Sequence, residues 1–413
     1  MQKHTDASKK SEALIAAIIE KISGLNKARK EFMLTIFMLF MGLRGRYNFL
    51  NMARYGDYSE QTYRNHFTKE FDFKTFNKEL IKQKCSSHVI NAFDPSYIAK
   101  SGKQTEHMGW FWSGCSGKAL KGLEIVGFAV VDIENNTALS IEAVQTPSVQ
   151  ELKEQGQSLT DHYASLVIER KEVLLTFSPY VAVDGYFAKR IFVDKVLNNT
   201  GLHLVCKLRS DADLYYVYSG KPTGGRGRPK TLDGKMNMTK IDKRRIRLCY
   251  EDDKVKVYDG IVYSKRLKRK IRMAYVEFWE NSKYTGRYAV LFSTDTQLEG
   301  QRIFLYYKSR YQIEFLFRDA KQFTGLTHCQ ARDEKKLHFH FNASLTTVSI
   351  AKAAYYLPIN KQGNGSFSMS DVKTLHLNKI IADRIFANLD IDMSCTKIQR
   401  IYRDVLWLGK IAC

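Results

Sequence analysis

The sequence predicts an α/β fold, a mixed sheet flanked by helices, with a helical N-terminal region before it and a β-rich insertion within it. Three observations predict it. Before Lys84 the apolar positions recur at spacings of three and four, between Val89 and Leu208 short apolar runs alternate with helical stretches, and from Ser210 to Arg287 β-leaning runs are separated by basic turns.

Residues 1–86 read as helical, from Leu14, Ile15, Ile18, Ile19 and Ile22 and again from Phe32 to Leu43. Within them Asp57 to Phe67 has the composition of a recognition helix. Ser59 is placed to cap it, leaving Gln61, Thr62, Arg64 and Asn65 to reach base edges or phosphates. A small helical bundle with a wet polar face reads the same way, so this segment alone does not decide between them.

From Ser87 the pattern changes. Val89 to Phe93 is a short apolar strand that ends at Asp94 and is closed by Pro95. After a loop rich in Gly, Trp and Lys from Gly102 to Gly122, Leu123–Ile133 and Ala138–Val144 read as strands joined at Glu134-Asn135-Asn136-Thr137, a hairpin signal. A helix over Ser158–Arg170 follows, then a buried strand Tyr180–Val183 ending at Asp184 and turning on Gly185. A helix over Phe187–Leu197 and a strand His203–Leu208 complete residues 87–209 as the first part of a sheet domain. An Asp at a strand end is often only a turn former. Asp94 and Asp184 together sit where ligands bind on such sheets, at the carboxyl ends of strands.

Residues 210–287 read as an insertion, with β-leaning runs at Leu214–Tyr218, Val255–Val262 and Ile271–Trp279. Its loop Thr223–Lys230 contains Arg226-Gly227-Arg228-Pro229, the core of motifs that insert arginines into a narrow minor groove; a basic loop touching phosphates only is the simpler alternative. The sheet domain resumes with a strand at Tyr288–Ser293 and occupies residues 288–356.

There the spacing predicts one long helix. Thr296 and Glu299 can form a capping box at its start, and Gly325 is its stop. On a helix turning roughly 100° per residue, Tyr307, Arg310, Glu314 and Lys321 fall within about 60° of one another. Leu305, Tyr306, Ile313, Leu316, Phe317, Ala320 and Phe323 fall on another arc, so the helix has an apolar side to dock and shows a carboxylate between cations on the other. Ordinary i,i+4 pairing of Arg310 with Glu314 on a solvated face is the bland alternative. Lys336–Tyr356 reads as an apolar helix, and residues 357–413 as a looser C-terminal segment without clear pattern. His328, Cys329, His338 and His340 have no spacing that suits a metal.

Composition narrows the partner. Among 413 residues, 65 Lys and Arg stand against 43 Asp and Glu, a formal charge of +22 spread along the whole length, which points to a polyanion. The longest apolar run, Phe32 to Leu43, is shorter than the roughly 20 residues a spanning helix needs, and the first residues lack the apolar stretch of a signal peptide. The 7 cysteines are scattered and form no CxxC pair, so reduced thiols, a cytoplasmic location and no zinc site are expected. Two carboxylates at strand ends and one on a helix are what a two-metal phosphoryl-transfer site requires, since hard Mg²⁺ or Mn²⁺ takes oxygen ligands.

At this point the residues resemble a known family. Tyr307-x2-Arg310-x3-Glu314-x6-Lys321 matches the Y-R-E-K signature of DDE transposases of the insertion sequence 4 family, with Asp94 in Phe-Asp-Pro-Ser and Asp184 in Val-Asp-Gly-Tyr upstream; the resemblance runs from about residue 30 to 356. It implies a ribonuclease H-like fold whose β-rich insertion precedes the glutamate helix. It implies that Asp94, Asp184 and Glu314 bind two Mg²⁺ or Mn²⁺ ions, and that Tyr307, Arg310 and Lys321 hold terminal phosphates and the transposon end. Trp279, the one Trp of the insertion, is then a candidate to stack on a flipped base, and the Lys100–Lys121 loop with Trp110 and Trp112 another DNA contact.

The partners implied are double-stranded DNA, as terminal inverted repeats and as target, and a second copy of the chain when the ends are bound. The location implied is the bacterial cytoplasm, at the nucleoid. A non-catalytic DNA-binding regulator or inactive transposase remnant is the alternative, and a nuclease without strand transfer a third.

Overall fold

The computed structural model describes residues 5–102, 104–220, 229–357, 366–389 and 391–410. In chain order these form α1 (Thr5–Ile19), α2 (Lys27–Gly42), α3 (Phe49–Tyr55), α4 (Glu60–His66) and α5 (Phe73–Lys84), then β1 (Val89–Ala99), β2 (Gly109–Ser113), β3 (Lys118–Asp132) and β4 (Thr137–Gln145). Next come α6 (Val149–Glu154), α7 (Leu159–Glu169), α8 (Lys171–Phe177), β5 (Tyr180–Val183), α9 (Arg190–Thr200) and β6 (His203–Leu208). The strands β7 (Leu214–Val217), β8 (Leu232–Lys235), β9 (Arg247–Glu251), β10 (Val255–Ser264), β11 (Arg269–Glu280) and β12 (Lys283–Ser293) follow. Helices α10 (Gly300–Ser309), α11 (Gln312–Phe323), α12 (Glu334–Ala351), α13 (Met369–Asn388) and α14 (Thr396–Trp407) close the chain. The architecture is mixed α/β, with a large mixed sheet flanked by helices. Among the described residues no helix is long and apolar enough to cross a membrane.

The chain divides into two compact units. One takes in the described residues up to Val89, Pro95–Glu151 and those from Gln312 on; the other is Ile90–Asp94 with Leu152–Tyr311.

In the first unit α12 is the central helix, packed by α1, α2, α5, α11, α13 and β4. It carries buried polar side chains because β4 offers it an open strand edge. Asn342 accepts from Ala143 N and donates to Ala143 O, each at 2.8 Å, and Ser349 Oγ accepts from Ser140 N at 2.9 Å. Asn77 of α5 donates to Ile141 O and Lys352 to Ala138 O. Side chains from helices thus replace the missing neighbour strand, which satisfies backbone groups that would otherwise be buried bare.

The second unit is built on a sheet in the order β1, β5, β6, β12, β11, β10, β7, β8, with β9 also on β10. The β1–β5 and β5–β6 pairs are parallel, and from β6 onward the pairing is antiparallel. Strands of residues 210–287 therefore extend this sheet through β11 and β12. Helix α10 packs on β6, β10, β11 and β12.

Four expectations are corrected. First, β1 does not stop at Pro95 but runs on to Ala99. It pairs with β5 only through Asn91 and Ala92, so at Pro95 no bond to β5 is lost to the missing N–H. Second, the Gly102–Gly122 loop contains β2, hydrogen-bonded to the start of β3. Third, the long helix is two helices. At Arg310 and Tyr311 the chain tightens, with Tyr311 N reaching Lys308 O at 3.4 Å, and the ideal-helix angles do not carry across that step. Its start is Gly300, not a Thr296 box: Gly300 N donates to Asp259 Oδ2 at 2.9 Å, and a Cβ on Gly300 would lie 2.3 Å from that of Asp259. Fourth, the C-terminal segment contains α13 packed on α2 and α14 packed on α13.

Candidate active site

Asp94 and Asp184 belong to the second unit, and Asn91 organises the strands that carry them. Fully buried, it donates to Leu174 O, Ser178 O and Tyr180 O at 2.9–3.1 Å, so β1 holds the turn that feeds β5. Past the end of the β1–β5 pairing lies half-buried Asp94. Arg310, in the step after α10, is 6% exposed, and its Nη1 donates to Asp94 Oδ1 at 3.4 Å. That is longer than the roughly 2.7–2.9 Å of a tight charge-assisted bond. Arg310 thus compensates the carboxylate through a long contact.

Asp184 follows β5 directly and is exposed, as the strand-end reading expects. Its backbone carbonyl accepts from the buried Cys206 thiol of β6 at 3.2 Å. Burial, then the Asp184 charge, pushes the Cys206 thiol up, with Arg310 opposing, so the thiol stays protonated. The Tyr307 phenol is likewise pushed well above the usual tyrosine range by burial and then by Asp184, against the pull of Arg310. The Arg310 guanidinium lies 5.7 Å from the Tyr307 ring centre. Asp94, Asp184, Tyr307 and Arg310 thus feel one another within a single unit.

Glu314 and Lys321 belong to the first unit, on α11. Glu314 is half-buried in the first turn, where the helix dipole favours a negative charge. Four contacts fix the helix that carries it. Gln312 donates to Asn136 in the β3–β4 turn at 3.0 Å. Phe317 lies on Gly127 of β3, where a Cβ would come within 2.5 Å of the ring. Lys321 Nζ donates to Ser96 Oγ at 2.9 Å and Tyr97 O at 3.0 Å on β1. At the far end Lys373 of α13 donates to Phe323 O at 2.7 Å, to Leu43 O at 2.7 Å and to Tyr47 Oη at 2.6 Å. Gly325, at φ +68°, is the stop the sequence predicts, and Tyr47 packs on it.

Arg226 and Arg228 lie outside the described residues. Trp279 is half-buried, with Lys256 Nζ 4.2 Å from its ring and Tyr284 opposite it across the β11–β12 pair. Leu208 at the end of β6 stands opposite Val290. Tyr275 of β11 also stands opposite Val290, so Trp279 lies four residues further along β11, about 14 Å beyond that level on the side of the strand ends near Asp184 at roughly 3.4 Å per residue. The proposed recognition helix is α4, seven residues long and capped by Ser59. Gln61, Arg64 and Asn65 are exposed, but Gln61 donates to Asn65 and Arg64 pairs with Glu60.

Sequence reasoning missed Asn91, Cys206 and Lys373. A lone Asn between apolar residues in Val-Ile-Asn-Ala-Phe was the available signal for Asn91, since a buried amide needs partners. For Lys373 no local signal exists, because its partners come from residues 43, 47 and 323. Among the described residues no three His, Cys, Asp or Glu gather as a ready metal site.

A family model described as the transposase DDE domain matches residues 87–349. No curated protein matches the chain.

Proposed function

The chain belongs to the transposase DDE domain family, and from that premise we propose that it is a DNA transposase that cleaves transposon ends and joins them to target DNA by two-metal phosphoryl transfer. On this reading Asp94, Asp184 and Glu314 are the metal-holding carboxylates on a ribonuclease H-like core, and the insertion sequence 4 signature is Tyr307, Arg310, Glu314 and Lys321. The observation that carries it is the ion pair between Asp94 and Arg310. It joins the first expected catalytic carboxylate to a signature residue 216 positions away, beside Tyr307 and Asp184.

The donor chemistry fits a hard divalent cation, since all three candidate ligands are carboxylates. Two such ions, when bound, supply an activated attacking oxygen and a stabilised leaving oxygen. The chain's own residues do the rest. Arg310 holds the Asp94 charge in the protein alone, and a DNA phosphate offers its guanidinium a better-matched partner. Tyr307 remains a neutral phenol and so a hydrogen-bond donor to phosphate oxygen. Lys321 holds Ser96 and Tyr97, two and three residues after Asp94 in the chain, so its role includes fixing β1. The substrates are duplex terminal repeats and target DNA, handled by a homodimer at the bacterial nucleoid.

The test is nicking of DNA bearing the flanking terminal repeats, in Mg²⁺ or Mn²⁺ and in EDTA, by wild type and Glu314→Ala. Metal-dependent nicks at the repeat boundary, absent in the variant, are expected. A second reading is a DNA-binding regulator or inactive remnant. Salt-sensitive binding with no cleavage in any metal would establish it instead.

A further inference from the structure

The β2–β3 hairpin presents two tryptophans to solvent. β2 is an edge strand, paired with β3 from Gly109 opposite Gly122 to Ser113 opposite Lys118. Trp110 and Trp112 are 67% and 65% exposed. Two residues apart on a strand, they share one face. Phe111 between them points to the other face and is 2% exposed, which anchors the strand beneath. The two indoles therefore stand on a fixed support.

Same-face neighbours on a strand are about 6.8 Å apart, which is twice the roughly 3.4 Å rise of stacked bases. The backbone thus sets the two side chains at a spacing that has room for one flat base. The face is completed across the pair by Ala119, opposite Trp112, and Lys121, opposite Trp110, both exposed. A methyl-sized side chain leaves room for the base, and an ammonium stands ready for its phosphate. From Met108 to Leu123 there is no Asp or Glu, whereas Lys118 and Lys121 lie within that stretch. A wholly basic aromatic edge on a chain of +22 suits a polyanion with accessible flat rings. Paired bases inside a duplex are not accessible in this way.

We propose that this hairpin is a clamp for an unpaired base of single-stranded DNA, with Trp110 and Trp112 on its two sides and Lys121 at the adjoining phosphate. The inference rests on the reading of the chain as a DNA-processing enzyme and adds the strand form that this surface takes. It assigns the hairpin to DNA that has been opened or nicked, not to recognition of the intact duplex.

The experiment is titration of the full chain with short oligo(dT) and with duplex DNA at one fixed salt concentration, following tryptophan emission and anisotropy of labelled DNA. Oligo(dT) is expected to quench wild-type emission. The double variant Trp110→Ala/Trp112→Ala retains Trp279 and Trp407 as background. It is expected to lose the quench and to bind oligo(dT) about tenfold or more weakly, with duplex affinity changed less than about twofold. Trp110→Tyr/Trp112→Tyr keeps the rings and is expected to keep most of the affinity. Unchanged oligo(dT) binding in the alanine variant, or an equal loss for oligo(dT) and duplex, overturns the clamp. Wild type that binds duplex but not oligo(dT) also overturns it and leaves the transposase reading standing; wild type that binds neither DNA sinks both.

Discussion

The guanidinium of Arg310 lies 3.4 Å from the carboxylate of Asp94, with 7% and 19% of their side chains exposed. Removing one partner of a largely buried pair strands the other, at roughly 3–5 kcal/mol when burial is complete. With Asp94 part-exposed, Arg310→Ala is expected to lower stability by about 1–3 kcal/mol. Asp94→Asn removes the charge that Arg310 no longer offsets, so the double variant should regain part of that loss. Urea unfolding of the two single variants and the double variant measures the coupling. Strict additivity would mean that the pair contributes nothing to the fold.

Gly127 and Phe317 give a second test, one that separates the position of Glu314 from its chemistry. A Cβ on Gly127 would lie 2.5 Å from the Phe317 ring. Overpacking of this kind costs about 1–3 kcal/mol, and the ring sits one turn after Glu314 on α11. Gly127→Ala is therefore expected to depress cleavage at least tenfold while duplex binding stays near wild type. Loss of stability with full cleavage would show that the helix moves without disturbing Glu314.

The open edge of β4 makes a third. Asn342→Ala removes the partner of both Ala143 N and Ala143 O, and each buried group left unsatisfied costs about 1–3 kcal/mol. Asn342→Ala is expected to destabilise by about 2–4 kcal/mol on that account and to raise hydrogen exchange at the Ala143 amide before that of β3. Uniform exchange across both strands would show that the edge is held by other groups.

Acid should unfold the first unit through its neutral histidines. Burial pushes His340 down to about 4 and His376 down to about 3. His340 bonds Gly325 O at 2.7 Å, and His376 bonds the Tyr355 hydroxyl at 2.7 Å. An unfolded histidine takes up a proton near pH 6.5, which the folded ones resist. Stability is thus fully present above about pH 6.5 and is lost as pH falls toward 4, on the order of 3 kcal/mol from His340 alone. Thermal melts of wild type and His340→Gln between pH 7 and 4 check this, the variant being expected to show the shallower decline.

Much of the second unit's sheet was legible because its strands are continuous apolar runs bounded by turn formers. Tyr180–Val183 and His203–Leu208 appear at the bounds the sequence predicts. The misreadings share a cause: a local signal was overridden by a distant partner. Pro95 reads as a stop, yet β1 continues because no β5 pairing is needed there. Arg310 and Tyr311 are ordinary helix residues, and nothing in them announces the tightened step. The polar residues of α12 look like faults in an apolar helix until β4 supplies their partners. Among the site residues, Asp184 follows its strand as read, whereas the Asp94–Arg310 pair could not be found from spacing across 216 positions.

Lys373 supplies the last prediction, with the same sign as the histidines but in alkali instead of acid. Burial pushes its ammonium down to about 8, while its three hydrogen bonds run to Phe323 O, Leu43 O and the Tyr47 hydroxyl. Between pH 8 and about 10.5 the unfolded lysine still holds the proton that the folded one has released. Folding is therefore favoured progressively as pH rises through that window. Lys373→Met lacks this gain, so the stability gap between wild type and variant should widen from pH 8 to 10, by at most about 3 kcal/mol. Below pH 8 the gap should be flat, since both states hold the proton. A gap that instead narrows above pH 8 would show that the charged ammonium, placed at the ends of α2 and α11, is worth more to the fold than the desolvation it suffers. Urea midpoints at pH 7, 8, 9 and 10 decide between the two.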